Sequence, residues 1–130
     1  MRLLLMAAAA CVCAGGAASA SDLTVQLPDV PEVATQVVRY QCASDTAAIG
    51  LPKPPFEVTY LTAGDNRLAV IELHGKRLIF VAVGSGASAR YVNGAYSWWD
   101  EPGRGTFLAA ELPRDMAGMQ SALCQRATSP

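Results

Sequence analysis

Apolar and polar residues alternate with a period of two through much of the chain, the signature of strands half-buried against one core. The clearest run is Phe56–Leu61, which places Phe56, Val58 and Tyr60 on one face. Val37–Cys42 is a second β-rich run. Pro52, Pro54 and Pro55 fall between the two and forbid a ladder there. Ala63-Gly64-Asp65-Asn66 then reads as a turn into the next strand. Leu68–Leu73 and Leu78–Val83 are apolar on both faces and meet at His74-Gly75 as a tight hairpin. Such strands are central, or belong to a sheet rolled closed.

A second hairpin follows, with strands Ala89–Val92 and Ala95–Glu101 joined by Asn93-Gly94. That dipeptide suits a type I′ turn, which needs positive φ at both central residues. A Gly/Ser stretch precedes the hairpin and Pro102-Gly103-Arg104-Gly105 follows it, so both connections should emerge at one end. Two flexible loops on a stiff aromatic hairpin form a recognition edge. Thr106–Leu112 returns as a further strand. Asp115–Leu123 reads either as a short helix, capped by Asp115, or as a loop carrying Cys124 to its partner. Seven strands, or eight, with short connections and no crossover helix describe an all-β fold. The expected architecture is a small antiparallel barrel.

The ends of the chain carry a different pattern. Residues 1–20 hold one basic residue, an apolar run and a small-residue finish, Ala18-Ser19-Ala20. This reads as a secretory signal peptide cleaved before Ser21, too short to span a bilayer. Ala8-Ala9-Ala10-Cys11 loosely resembles a lipobox but lacks its usual branched residue. Soluble export is therefore the favoured reading, with a form lipid-anchored at Cys11 as its rival. Residues 21–36, with two prolines and no sustained period, read as an extended arm or linker. The remaining domain spans residues 37–126.

Charge and cysteine content narrow the chemistry. Of ten Lys/Arg and eleven Asp/Glu, only Arg2 lies in the leader, so the mature chain carries a net −2. Without a basic patch, nucleic acid is excluded as a partner, whereas a cationic protein is permitted. Cys42 and Cys124 are the two cysteines outside the leader and read as a disulfide. Closing so long a loop stabilises the fold by about 4 to 5 kcal/mol on the chain-entropy model. Two cysteines and one scattered histidine make a poor metal site.

Catalysis finds little support. His74, the single histidine, sits in a turn, and no second one could complete a triad with Ser85 or Ser88. Asp100 and Glu101 are strand neighbours and point to opposite faces, which makes a poor acid–base pair. Gly84-Ser85-Gly86 lacks the lysine and helix of a phosphate loop. The chain therefore reads as a non-enzyme without cofactor or metal. Of its clustered aromatics, alternation sets Tyr96 and Trp98 on one face and Trp99 on the other. One set packs the core, and the other stands exposed beside Arg90 and Arg104, as at protein interfaces.

The same segment resembles the periplasmic and membrane-bound inhibitors of c-type lysozyme. Arg90-Tyr91-x-Asn93-Gly94-x-Tyr96-x-Trp98-Trp99 matches that family's R-Y-x-[DN]-G-x-Y-x-[FW]-W core. Tyr40-x-Cys42 matches its opening Y-x-C, and Cys124-Gln125 its closing cysteine. The resemblance implies an eight-stranded antiparallel barrel with one disulfide, located in the periplasm. It implies inhibition by two loops, here Gly84–Arg90 and Trp99–Gly105, inserted into the cleft of a lysozyme or related muramidase. In the family a loop serine (S-G-x-x-Y) and a lysine (W-x-K-G) meet the enzyme's catalytic carboxylates.

This sequence departs at both places. The serine position is Ala87 and its glycine Ser88, while the lysine position is Glu101 and its glycine Pro102. Glutamate facing carboxylates replaces attraction by repulsion, at a cost of several kcal/mol in a desolvated cleft. Three outcomes follow. Ser85 or Ser88 and Arg104 substitute through a loop shift, Arg104 offering a planar fork for carboxylates. Or the target is another lysozyme or envelope hydrolase, with Glu101 meeting a basic group. Or the barrel no longer inhibits and binds an apolar or glycan ligand, or another envelope protein. The first two are preferred. The expected partner-binding set is Ser85, Ala87, Ser88, Arg90, Tyr91, Tyr96, Trp98, Glu101 and Arg104.

Overall fold

Hairpin chemistry sets the path of the chain. The computed structural model describes residues 20–43, 46–84, 89–101, 103, 105–110 and 120–128. Eight strands follow in order: β1 (Val33–Cys42), β2 (Phe56–Ala63), β3 (Asn66–Leu73), β4 (Lys76–Val83), β5 (Arg90–Asn93), β6 (Tyr96–Glu101), β7 (Gly105–Ala110) and β8 (Gln120–Arg126). Each pairs antiparallel with the next. β8 then pairs with β1 through Tyr40↔Arg126 and Cys42↔Cys124, which closes the barrel. Closure removes both sheet edges. The expected disulfide joins these opposed residues, Cys42 and Cys124, across 82 positions of sequence.

The period of two is realised as an inward and an outward row. Tyr40, Val58, Ile71, Phe80, Trp98 and Leu108 are buried inward residues at the centre of the core. Tyr40 and Trp98 meet edge to face, with ring centroids 5.0 Å apart, a favoured aromatic geometry. The two-faced apolarity of β4 reflects a rolled sheet. Phe80 points in, while Ile79, Val81 and Val83 line the outer wall, each at least 41% exposed.

Several boundaries differ from expectation. The second hairpin turns one residue later, at Gly94-Ala95, because Asn93 pairs with Tyr96 as the last residue of β5. Only Gly94 has positive φ (53°) there, the pattern of a type II′ turn. Asn93 is held in the strand by its side chain, whose Nδ2 donates to the Ile79 carbonyl at 2.7 Å. His74-Gly75 does form the expected tight turn, with φ of 51° and 71°. β1 begins at Val33, four residues before the periodicity becomes legible, because residues 33–37 are exposed and show no buried face. β7 begins at Gly105 and β8 at Gln120. Leu123 and Cys124 therefore lie in a strand, neither in a helix nor in a trailing loop, since closure demands a ladder on both sides of β8. Residues 111–119 are outside the described residues.

The two ends of the barrel are unlike. Topology puts the β1–β2, β3–β4 and β5–β6 connections at one end, and the β2–β3, β4–β5 and β6–β7 connections at the other. At the first, the β1–β2 connection tucks Thr46, Ile49 and Leu51 into buried positions. It is tied to the β3–β4 turn by the His74 amide, which donates to the Gly50 carbonyl at 2.7 Å. The histidine ring lies where a Cβ on Gly50 would have to go, so glycine is required there. This end is plugged. Among the described residues, the other end is left open around a cleft lined by Tyr60, Tyr91, Asp100 and Arg126.

Candidate functional site

The open end carries both loops singled out from the sequence. The β4–β5 connection leaves from Gly84 and re-enters at Ala89, and the β6–β7 connection runs from Glu101 to Gly105. Both emerge beside the start of β1 and the end of β8. Gly105 is fixed by two demands. Its φ is 125°, and a Cβ would stand 2.7 Å from the Cys124 carbonyl oxygen. Glycine therefore lets the returning strand β7 approach β8 at the base of the loop.

The predicted contact residues separate into groups. Arg90 is exposed at the start of β5, and its guanidinium donates to the Ser97 hydroxyl at 2.9 Å. That bond crosses the outer wall of the hairpin diagonally, because Arg90 is paired with Trp99 and Ser97 with Val92, so it draws the guanidinium along β6 toward the β5–β6 turn. Tyr91 faces inward at the open end, with its ring 5.5 Å from that of Tyr60. Burial raises the Tyr91 hydroxyl above its ordinary pKa, although Arg67 acts in the opposite sense. Glu101 ends β6, half-buried, on the border of a surface cleft shared with Gly103, Gln125 and Arg126.

Two predicted residues are not brought to this face. Trp98 is 1% exposed, a core residue behind the loops rather than a contact surface. Tyr96 belongs to the plugged end, where its hydroxyl lies 3.4 Å from His74 Nε2. Alternation correctly paired the two on one side of the strand, but that side is the interior. Ser85, Ala87, Ser88 and Arg104 lie outside the described residues.

The open end also holds Tyr40, Tyr60, Asp100 and Arg126, none of them in the expected partner-binding set. Trp98 donates its indole N–H to the Tyr60 hydroxyl at 2.7 Å, and Tyr60 and Tyr40 share a hydroxyl bond of 2.8 Å. Burial, with Tyr40 adjacent, pushes the Tyr60 hydroxyl well above the ordinary tyrosine range, so it stays protonated. Asp100 faces the same opening, its carboxylate accepting from Thr106 at 3.4 Å. Arg126, at the end of β8, borders the opening from the other side. Parity could have found both: Asp100 is two residues from Trp98, and Arg126 is two from Cys124. Among the described residues, no group of three or more His, Cys, Asp or Glu side chains could hold a metal ion.

Comparison with known proteins bears on this architecture. The family model for the membrane-bound lysozyme inhibitor of c-type lysozyme, MliC, matches residues 40–112. A membrane-bound lysozyme inhibitor of C-type lysozyme from Cupriavidus necator is 33% identical over 122 residues, covering 94% of this chain and 86% of that protein. One from Pseudomonas aeruginosa is 35% identical over 74 residues, covering 56% of this chain and 52% of that protein. The crystal structure of P. aeruginosa MliC in complex with hen egg white lysozyme superposes with a TM-score of 0.59 at 28% identity. It covers 84% of this chain and 98% of that one. A closed eight-stranded barrel, a β1–β8 disulfide and these matches together place the chain in the family of membrane-bound inhibitors of c-type lysozyme.

Proposed function

We propose that this protein is an exported inhibitor that binds a lysozyme and blocks its active-site cleft with the two loops at the open end, so protecting the cell wall. The observation that carries this reading is the solved relative, a protein of the same fold bound to hen egg white lysozyme. The geometry supports it. Loops 84–89 and 102–104 leave the same end of a rigid, disulfide-closed barrel, an arrangement suited to entering a groove. The leader at residues 1–20 is consistent with a periplasmic site of action, and Cys11 offers an alternative lipid anchor. Among the described residues, no helix is long and apolar enough to cross a membrane.

Glu101 stands where the resemblance calls for lysine, so the attraction for the enzyme's carboxylates has to come from elsewhere. Arg104 is the candidate within the loop, and Arg126 lies beside that loop on the same cleft as Glu101. A turbidity assay with c-type, g-type and i-type lysozymes tests the function. Dose-dependent inhibition of at least one, the c-type first, is expected. A folded protein that inhibits none of them would overturn the proposal.

A further inference from the structure

The open mouth of the barrel encloses a cleft of about 230 Å³. That is below the roughly 300 to 1,000 Å³ of sites for drug-sized ligands, a size suited to one small ring. We propose that this mouth is a saccharide site holding a single neutral pyranose ring between the Tyr60–Tyr91 aromatic wall and the Asp100 and Arg126 side chains. The inference goes beyond lysozyme inhibition and does not depend on it.

The floor of the cleft carries more hydrogen-bond donors than it uses. Trp98, Tyr60 and Tyr40 bring three N–H or O–H protons, and the two bonds among them use two. With Tyr40 donating in the shared bond, the half-buried Tyr60 keeps its hydroxyl proton for an acceptor in the cleft. Burial keeps Tyr60 in its neutral, donating form. The floor is thus a preorganised donor.

The rim supplies the complement. The Asp100 carboxylate has acceptor capacity well beyond its one long bond from Thr106. Arg126 brings guanidinium donors to the same cleft. Among the described residues, these two are not joined by a salt bridge. A cationic side chain in the cleft would gain from Asp100 and be opposed by Arg126, and an anion the reverse. A sugar hydroxyl both donates and accepts, so a neutral polyol satisfies both rim groups at once. Its C–H face can lie on the tilted Tyr60 and Tyr91 rings, whose π faces carry partial negative charge.

Trp98 makes the site observable, because its indole N–H ends in the network beneath the cleft. The test titrates N-acetylglucosamine and glucose, and in parallel Nα-acetylarginine amide, into isotopically labelled protein without lysozyme. The expected result is a saturable shift of the Trp98 indole signal with a sugar, with a dissociation constant on the order of 1 mM. Asp100→Asn and Arg126→Ala, checked for folding by their unchanged remaining spectra, should each weaken it at least about ten-fold. Arg39→Ala, on a different cleft, should leave it unchanged. No saturable shift with either sugar would overturn the proposal. So would a response to acetylarginine amide alone, or sugar affinity indifferent to both rim variants. Since no enzyme is present, a failure here leaves the inhibition assay untouched, and the converse holds.

Discussion

At the scale of single residues, the open end is defined by charge and by a few groups without substitutes. Glu101 is the clearest case, because the resemblance puts a cation at its position. Glu101→Lys should strengthen inhibition of c-type lysozyme at least ten-fold, about 1.4 kcal/mol, read as the inhibitor concentration that halves lysis. Arg104→Ala should weaken it by a similar factor. Behind the loops, Trp98→Ala removes the ring that packs on Tyr40 and Phe56 and should cost about 3–5 kcal/mol in urea denaturation. Tyr60 gives a pH signature. Above pH of about 10 the unfolded chain's tyrosines ionise, while folded Tyr60, its pKa raised by burial, keeps its proton. The folded state then binds more protons, so stability falls as pH rises beyond that point. Urea midpoints at pH 8 and pH 11 should show the drop, and Tyr60→Phe should shrink it.

At the scale of elements, turns and the closing strand β8 fix the path of the barrel. Gly94 alone carries the positive φ of the β5–β6 turn, so Gly94→Ala should destabilise by about 1 kcal/mol. Asn93→Ala should act through the lost bond to the Ile79 carbonyl rather than through turn geometry. This hairpin also shows what sequence can and cannot convey. The strands and their inward faces were legible because Phe56, Val58, Tyr60 and Trp98 obey a period of two. The one-residue displacement of the turn was not, because it depends on a side chain reaching a neighbouring strand. The start of β1 was hidden for a related reason: Val33–Gln36 pair with β2 through backbone alone while their side chains stay exposed. β8 was read as helix or loop since its meaning lies in two ladders formed with distant partners.

At the scale of the whole molecule, one end is plugged by Ile49 and Leu51 and the other presents loops around an open mouth. The Cys42–Cys124 bridge staples the last pair of strands. Cys42→Ser with Cys124→Ser should lower unfolding free energy by roughly 2–5 kcal/mol, measured by denaturant titration against the oxidised protein. The barrel and the bridge were legible from hairpin rhythm and an even cysteine pair. The composition of the site was less so. Arg90 and Tyr91 reach the open end, but Tyr96 lies at the other, since alternation fixes the face of a strand and says nothing of depth along it. Asp100 and Arg126 share the mouth only because the barrel closes.

On the proposed function, the open end is the face that meets lysozyme. Chemical-shift mapping of the labelled protein with unlabelled c-type lysozyme tests it most directly. Perturbations should gather at Gly84, Ala89, Arg90, Glu101 and Gly103, leaving His74, Gly75 and Tyr96 unmoved. A footprint centred on the plugged end, around His74 and Gly94, would contradict it.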